Sequence, residues 1–351
     1  MISKNLPKLC LLVIILVNFA CSETEENVPL TTPASEIDTD KLVRKASLVN
    51  QEIPFRVLSE GGEDLTDITT FFVNGAAIDG ATFSSDTIGE FEVYGVYTQN
   101  GIEVTTSTAS FRVIIPKQKI VVEDYTGTWC GFCPRVSAAL YSLKDETDFI
   151  TVVAIHETAN SFPDPMHFDQ VQLLKDAFDV QGFPAARINR NINWPNPHPN
   201  GAITSIAGLD TNLALAINSE LIGNELKVQV NVVYEEGSVE GDKLVVYLLE
   251  DGILSDQVNY YNQDTTSPYF NTGNPIPDFE HNETLRNSLS TVLGDAIPST
   301  PALTEYVASF TMTVPSNYVI DNLNIAAMVV DADNTAKNSQ HAAVNEDKPY
   351  E

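Results

Sequence analysis

The chain has 351 residues, and its 48 acidic and 19 basic residues give a formal net charge of -29. This length exceeds what one hydrophobic core usually serves, so we expect more than one domain. Nucleic-acid binding is disfavoured, because neutralising phosphates requires basic patches and the sequence has no Lys/Arg-rich run. The acidity itself indicates an exposed, self-repelling surface rather than a specific ligand.

Residues 1–20 have the pattern of a signal peptide, with Lys4 and Lys8 before an apolar run over 9–17 that is too short to span a bilayer. The segment ends in Asn-Phe-Ala-Cys at Cys21, which resembles the lipobox where bacterial lipoproteins are cleaved and lipidated on the cysteine. Acidic residues follow Cys21, in a stretch that resembles the signal sending Bacteroidetes-type lipoproteins to the outer-membrane surface. The alternatives are plain secretion, with Cys21 as a free thiol, and a simple solvated tether.

The next segments predict a tether followed by a β-rich domain. Residues 21–41 are acidic and contain few large apolar residues, which is typical of a flexible spacer. Over 42–117, short alternating segments are separated by Gly, Asn and Asp turns, as in a β-sandwich. This region resembles the immunoglobulin-like modules of bacterial surface proteins. The predicted strands are Ile53–Leu58, Thr70–Val73, Glu90–Tyr94 and Ser110–Ile114.

From residue 118 to residue 222 the pattern changes to alternating strands and helices, which predicts a mainly parallel, right-handed βαβ sheet. We expect strands at 120–122 and 149–155, and helices after Cys133, around 168–178 and around 209–221. In the first helix, apolar residues recur every three or four positions, which indicates a stripe that faces the core.

Strands return over 223–351, at 226–234, 243–250, 306–314 and 323–331, and they predict a C-terminal β-sandwich. The connection 257–288 is long and polar, so we expect a surface or binding loop there.

The cysteines carry the main chemical signal. Cys10 would leave with the signal peptide and Cys21 would carry lipid, so a single CxxC pair remains, Cys130 and Cys133. The pair lies where a strand passes into a helix, and a helix N-terminus favours the thiolate. We therefore expect Cys130 to be the more exposed, attacking sulfur and Cys133 to resolve the mixed disulfide. No second CxxC or His pair completes a zinc site, so no metal or cofactor is expected.

The residues around this pair resemble those of thioredoxin-like proteins. Trp129 directly precedes the first cysteine, and Asp124 stands six residues before it. The resemblance implies a thioredoxin-like α/β domain over 118–222 in which Asp124 moves protons to and from Cys133. It also implies a cis Pro184, which would bring the backbone of Phe183 beside the sulfurs. The alternatives are a solvent-exposed strand-end acid at Asp124 and an ordinary turn proline.

Four further residues are candidates for substrate binding: Trp129, Phe132, Phe183 and His156. His156 follows an apolar strand at its carboxyl end, where open α/β sheets place ligands. The alternative is a hydrogen-bonded surface histidine. Phe132 lies between the two cysteines, in the dipeptide Gly131-Phe132, and the residues at these two positions influence the redox potential of the pair.

The chain beyond the immunoglobulin-like region resembles the Omp28-related outer-membrane lipoproteins. The segment 123–131, EDYTGTWCG, is similar to that family's EDFTGxWCG, and His281-Asn282 with Arg286 is similar to its HNHxxR, with Glu283 in place of the second histidine. The resemblance spans about 118–351. It implies a thioredoxin-like domain joined to a C-terminal β-sandwich.

The predicted fold class is therefore a multidomain chain: an immunoglobulin-like β-sandwich, a thioredoxin-like α/β domain and a C-terminal β-sandwich. The leading functional hypothesis is a thiol-disulfide oxidoreductase, anchored in the outer membrane by lipidated Cys21 and facing the cell surface or the periplasm. Its partners would be proteins that carry disulfides or dithiols. The alternative is a surface binding protein or adhesin, with a surface ligand or host protein as partner, in which the cysteine pair is a static disulfide.

Overall fold

The structure is a computed structural model that describes residues 36–38, 46–59, 61–159 and 161–351. The predicted signal peptide, the lipidation site Cys21 and most of the predicted tether lie outside these residues. Among the described helices, none is both long and apolar enough to cross a membrane.

The N-terminal part consists of short strands around an aromatic core. The strands are β1 (Glu36–Asp38), β2 (Ala46–Leu48), β3 (Ile53–Pro54), β4 (Arg56–Leu58), β5 (Thr70–Val73), β6 (Ala76–Ala77), β7 (Thr82–Phe83), β8 (Gly89–Gln99), β9 (Ile102–Thr105) and β10 (Ala109–Ile114). A six-stranded sheet has the order β2-β10-β8-β5-β6 with β9 on β8, while β1 pairs with β4 and β3 pairs with β7. Phe55, Phe71 and Phe111 are buried at its centre. This β-rich part fits the predicted immunoglobulin-like region.

The rest of the chain begins with strands and helices and continues with strands. Its first elements are β11 (Ile120–Thr126), α1 (Pro134–Lys144), β12 (Ile150–His156), α2 (Val171–Ala177), β13 (Ala185–Ile188), β14 (Ile192–Asn193) and α3 (Gly201–Thr204). There follow β15 (Leu213–Ile222), β16 (Glu225–Tyr234), β17 (Lys243–Glu250), β18 (Ile253–Gln257), β19 (Ile276–His281), β20 (Thr284–Ser288), β21 (Asp295–Ala296), β22 (Glu305–Thr313), β23 (Leu323–Val330), β24 (Ala336–Ala343) and β25 (Asp347–Lys348).

A single nine-stranded sheet dominates this part of the chain, in the order β14-β13-β11-β12-β20-β17-β23-β24, with β21 on β17. Within the described residues, β11 and β12 pair in parallel and β12 pairs in parallel with β20. The other pairs of this sheet are antiparallel. The prediction of a mainly parallel sheet is therefore wrong.

The predicted fold class is also wrong, because no separate thioredoxin-like α/β domain is formed. Of the described residues, 45% lie in strands and 9% in helices, and the three α-helices have 11, 7 and 4 residues. The physical reason lies at the edge of β12, whose backbone groups need partners. They pair with β20, where Ala154 lies opposite Thr284, so strands from both sides of residue 222 share one sheet.

The helix predicted around 209–221 is a strand instead. β15 pairs along its whole length with β16, from Leu213 opposite Tyr234 to Ile222 opposite Glu225. Leu213, Leu215 and Ile217 pack into one core, while Ala214 and Ala216 pack into another on the opposite face. A segment that is apolar on both faces has no clear periodicity, so the sequence pattern did not distinguish the two structures.

Both faces of the nine-stranded sheet are covered. One face packs against α2 through Val171 and Leu174. The other face packs against α1 over β11 and β12, and against the sheet of β22, β16, β15 and β25 over β17 and β23. The apolar stripe predicted for α1 is buried here, at Val136, Leu140 and Leu143. These layers hold the end of β11 and the start of α1 in fixed positions.

Candidate functional site

The two cysteines form a disulfide in the turn that joins β11 to α1. Their Cα atoms are 5.4 Å apart. Cys133 is the N-cap residue of α1 and Pro134 occupies its first turn, as the sequence predicts. Pro134 fits because the first helical N–H groups have no intrahelical partner and the proline ring fixes a helical φ. The disulfide therefore lies at a helix start, where backbone N–H groups favour negative charge on sulfur.

Both cysteines are buried in this oxidised form, and Cys130 is only slightly the more exposed of the two. Cys130 is 4% exposed and Cys133 is 1% exposed. The cover includes residues 257–261, which we call the strap. The amide nitrogen Nε2 of Gln257 donates to the backbone oxygen of Cys130 at 3.0 Å, and Gln257 is itself buried. The strap comes from the connection that the sequence predicts to be a surface or binding loop.

Two backbone hydrogen bonds fasten the strap along the CxxC turn. The N–H of Val258 donates to the oxygen of Thr128 at 2.8 Å, and the N–H of Tyr260 donates to the oxygen of Gly131 at 2.9 Å. A Cβ at Gly131 would lie 2.5 Å from the ring of Tyr260, so this close approach requires glycine. The edge of Tyr260 also contacts Phe132, with ring centroids 5.0 Å apart.

The predicted aromatic residues lie on two sides of the turn. Trp129 stacks on Phe183 with ring centroids 5.7 Å apart, and the peptide bond from Phe183 to Pro184 is cis, as expected. The structure therefore brings Trp129, Phe183 and Pro184 together. Phe132 points to the strap side, where it is 49% exposed.

Asp124 is buried in β11 rather than lying in solvent. Asp124 is 3% exposed, and its Oδ1 atom has no hydrogen-bond partner among the described residues. Burial raises the pKa of its carboxyl to about 8, because desolvation disfavours the charged form. An acid that changes charge near neutral pH is suited to exchanging protons with a thiol.

His156 is also buried, and it contacts Asp164 rather than the surface. Its Nδ1 lies 3.0 Å from Oδ2 of Asp164, which also accepts the N–H of Thr128 at 2.7 Å. Burial raises the pKa of Asp164, but the hydrogen bonds from His156 and from the N–H groups of Thr128 and Met166 outweigh it and lower that pKa. The pair supports the turn from behind, and His156 does not lie where it could contact a protein substrate.

His281, Glu283 and Arg286, which resemble the family's histidine segment, each contact a different partner. The ring of His281 meets that of His156 edge-on, with centroids 5.1 Å apart. Glu283 forms an ion pair with Lys144 of α1, and Arg286 forms an ion pair with Glu250. Among the described residues, no group of three or more His, Cys, Asp or Glu side chains is arranged to hold a metal ion.

Three residues of this site were missed by sequence reasoning: Asp164, Gln257 and Tyr260. Asp164 contacts a backbone N–H 36 positions earlier, and the strap contacts the turn about 130 positions earlier. Local patterns do not encode such distant contacts. The polar composition of 257–288 was the available signal, and it indicated a loop without indicating what the loop covers.

Comparison with protein families matches residues 171–348 to the model described as outer membrane protein Omp28. This match covers half of the chain. The chain therefore belongs to the outer membrane protein Omp28 family. The matched region includes the strap, β19 and most of the large sheet, and it begins after the CxxC turn.

Comparison with curated proteins gives no match. Among solved structures, HBP35 of Porphyromonas gingivalis matches with 19% identity and a TM-score of 0.48, over 66% of this chain and 77% of that one. Domains 4–9 of the surface layer protein SbsC match with 11% identity and a TM-score of 0.15, over 85% of this chain and 49% of that one.

Proposed function

We propose that this Omp28-family protein catalyses thiol-disulfide exchange through Cys130 and Cys133. The observation that carries the proposal is a disulfide at the start of α1, directly after β11, the strand that carries the buried carboxyl of Asp124, whose pKa is raised to about 8. A helix start stabilises the thiolate that forms when the disulfide opens, and the carboxyl supplies or accepts the proton of the partner sulfur.

The exchange runs in two steps from the reduced pair. The Cys130 thiolate attacks one sulfur of a substrate disulfide, whose other sulfur leaves and takes a proton. Cys133 then gives its proton to Asp124 and attacks the Cys130 sulfur, which releases the second substrate sulfur as a thiolate and forms the protein disulfide. Two electrons pass from protein to substrate. The reverse reaction oxidises a substrate dithiol and starts from the disulfide seen here.

The site's aromatic residues support a protein substrate rather than a small thiol. Trp129 and Phe183 flank the turn on one side, and exposed Phe132 flanks it on the other. Apolar surface beside a reactive sulfur gains free energy by covering an extended segment of another chain.

We further propose that the protein is held at the outer membrane by lipid on Cys21 and faces the cell surface, with the periplasmic face as the alternative. The family is one of outer membrane proteins. The lipobox-like segment supports the anchor, and the acidic residues after Cys21 support the cell-surface face. Metabolic labelling with a fatty-acid probe tests it: we expect label on the wild type and none on Cys21→Ser.

Reduction of insulin disulfides by dithiothreitol tests the exchange activity. The wild-type protein should accelerate insulin precipitation at least tenfold over the uncatalysed rate. Cys130→Ser should remain at the uncatalysed rate, because no attacking sulfur remains. Equal, background-level rates for the two proteins would defeat the proposal.

A second function, a surface binding protein with a static disulfide, is favoured by one observation: the strap leaves Cys130 4% exposed. A pull-down of envelope and host proteins distinguishes the two. Capture that is unchanged when both cysteines are replaced by Ser would support binding without exchange. Capture that requires Cys130 would support exchange.

A further inference from the structure

A small cavity is lined by residues of β11, α1, β12 and β19, together with Gln257 of the strap. Its volume is about 40 Å³, and Asp124, His156, Gln257 and His281 are among its lining residues. Gln257 also donates to the backbone oxygen of Cys130, so the cavity adjoins the disulfide turn. Ser137, one turn beyond Cys133 in α1, completes the wall on the helix side.

Two polar atoms of this wall have no hydrogen-bond partner among the described residues: Oδ1 of Asp124 and Nε2 of His281. Both residues are buried, at 3% and 6% exposure. A buried polar atom without a partner costs about 1–3 kcal/mol, so such atoms usually contact ordered water. One water needs roughly 10–15 Å³ of accessible space and two or more polar partners, and this cavity provides both.

Because the His281 ring is neutral, its unpaired nitrogen Nε2 is a hydrogen-bond acceptor. The backbone of Ser255 hydrogen-bonds the ring, and Nε2 remains unpaired. Burial, and then the neighbouring His156, lower the pKa of His281 to about 3, so the ring is neutral at pH 7. A water molecule can then donate one hydrogen to Nε2 while it accepts from, or donates to, the carboxyl of Asp124.

The other groups around the cavity restrict where protons can go. Lys144 is neutralised by Glu283, and His156 is paired with Asp164. Glu280 is exposed, so one acidic residue of the cavity lining is accessible to solvent. The titratable groups that line the cavity with Asp124 are Tyr141 and Lys144 of α1, His156 of β12, Glu280 and His281 of β19, and Glu283 before β20.

We propose that His281 is a positioning residue: its Nε2 holds a water molecule against the carboxyl of Asp124, and this water carries protons between that carboxyl and solvent during exchange at Cys133. The inference rests on the proposed function. It also assigns a role to a residue of the Omp28-matching region in chemistry at cysteines outside it.

The proton balance can be written for the disulfide seen here. A substrate thiolate attacks the Cys130 sulfur, the bond to Cys133 breaks, and Cys133 leaves as a thiolate that takes the proton of Asp124. The water then returns a proton from solvent to the Asp124 carboxylate. A second substrate thiolate attacks the mixed disulfide, and Cys130 leaves as a thiolate. The substrate dithiol is oxidised, and His281 neither gains nor loses a proton.

The experiment measures the pKa of Asp124 by NMR titration of its side-chain carbon in the oxidised full chain, with His281→Leu, His281→Gln and His198→Leu as variants. His198 is the matched control, since it is an equally buried histidine, 6% exposed, that bonds the backbone of Trp194. Losing a water that stabilises the carboxylate should raise the pKa of Asp124 by about 1 pH unit in His281→Leu. The Gln side chain can hold the water, so His281→Gln should restore the wild-type value, and His198→Leu should match wild type.

The second measurement is the rate of reduction of the Cys130–Cys133 disulfide by dithiothreitol from pH 6 to pH 9. His281→Leu should be about tenfold slower than wild type and should be rescued by His281→Gln. An unchanged Asp124 pKa in His281→Leu, or an equal change in His198→Leu, would overturn the inference. If wild-type protein fails to exchange with insulin while the Asp124 pKa still responds to His281→Leu, the proposed function fails and the water link stands.

Discussion

Among single residues, Asp124 has the clearest effect on stability, because its carboxyl pKa changes on folding. Its pKa rises from 3.8 to about 8 on folding. Between about pH 4 and pH 8 the folded protein therefore holds a proton that the unfolded chain has lost, and stability falls as pH rises through this window. Below pH 4 both states are protonated, and above pH 8 both are ionised, so the effect is then constant.

Asp124→Asn should remove this pH dependence. We expect the variant to gain stability relative to wild type from pH 4 to pH 8, reaching on the order of 2 kcal/mol after allowance for relaxation and water entry. Urea unfolding of both oxidised proteins at pH 5 and pH 8 measures it, with exposed Asp86→Asn as the control. A difference that is the same at both pH values would contradict the assignment.

Arg190 and Glu123 form a fully buried ion pair, with Nε and Oε1 3.0 Å apart. Arg190 also donates to the hydroxyl of Tyr247, which ties the segment after β13 to β17. Removing one partner leaves a buried charge uncompensated, so Arg190→Ala should lose about 3–5 kcal/mol of unfolding free energy. The double variant Arg190→Met with Glu123→Leu should lose clearly less. Equal losses in chemical denaturation would show that packing, not charge, dominates here.

Among the structural elements, the strap controls access to the CxxC turn. It must move before a bulky substrate reaches Cys130, because its backbone bonds and Tyr260 cover the turn. Tyr260→Ala should weaken this cover by about 1.4 kcal/mol, roughly one lost packing contact, and raise the rate of disulfide reduction by dithiothreitol about tenfold.

The control for the strap is Phe270→Ala, which removes another exposed aromatic side chain of the same connection, 44% exposed. Its reduction rate should equal that of wild type. If Tyr260→Ala is also unchanged, the strap does not limit access to the disulfide.

Elements with a local signal were predicted well. The strand before the cysteines and the helix after them follow from nearby residues, the cis bond at Pro184 was implied by the family resemblance, and the structure has them all. β15 was missed because both its faces are apolar. The strap's position at the turn was missed because its contacts are long-range, and Asp164 was missed for the same reason.

At the scale of the whole molecule, the arrangement of the sheet could not be predicted from strand positions. β12 and β20 are each recognisable as extended segments, but nothing in either shows that Ala154 lies opposite Thr284. Periodicity reports which face of a strand is buried and does not identify its neighbour. A signature around the cysteines therefore suggested a self-contained domain where the chain forms one continuous sheet.

The shared sheet predicts that residues 118–222 do not fold alone. That fragment would lose β20 and leave β12 as an exposed edge, and β15 would lose its ten-residue pairing with β16. We expect no cooperative thermal transition for the fragment, against a single sharp transition for residues 118–351. Cooperative unfolding of the short fragment by circular dichroism would show that the part around the cysteines is independent.

The most direct test of the proposed exchange is capture of a substrate on Cys130. Cys133→Ser removes the resolving sulfur, so a mixed disulfide with a substrate protein should accumulate and be seen as a band on non-reducing gels that disappears on reduction. Cys130→Ser, which keeps only the less exposed sulfur of the pair, at 1% exposure, should capture none. Equal capture by the two variants, or none by either, would contradict exchange through this disulfide.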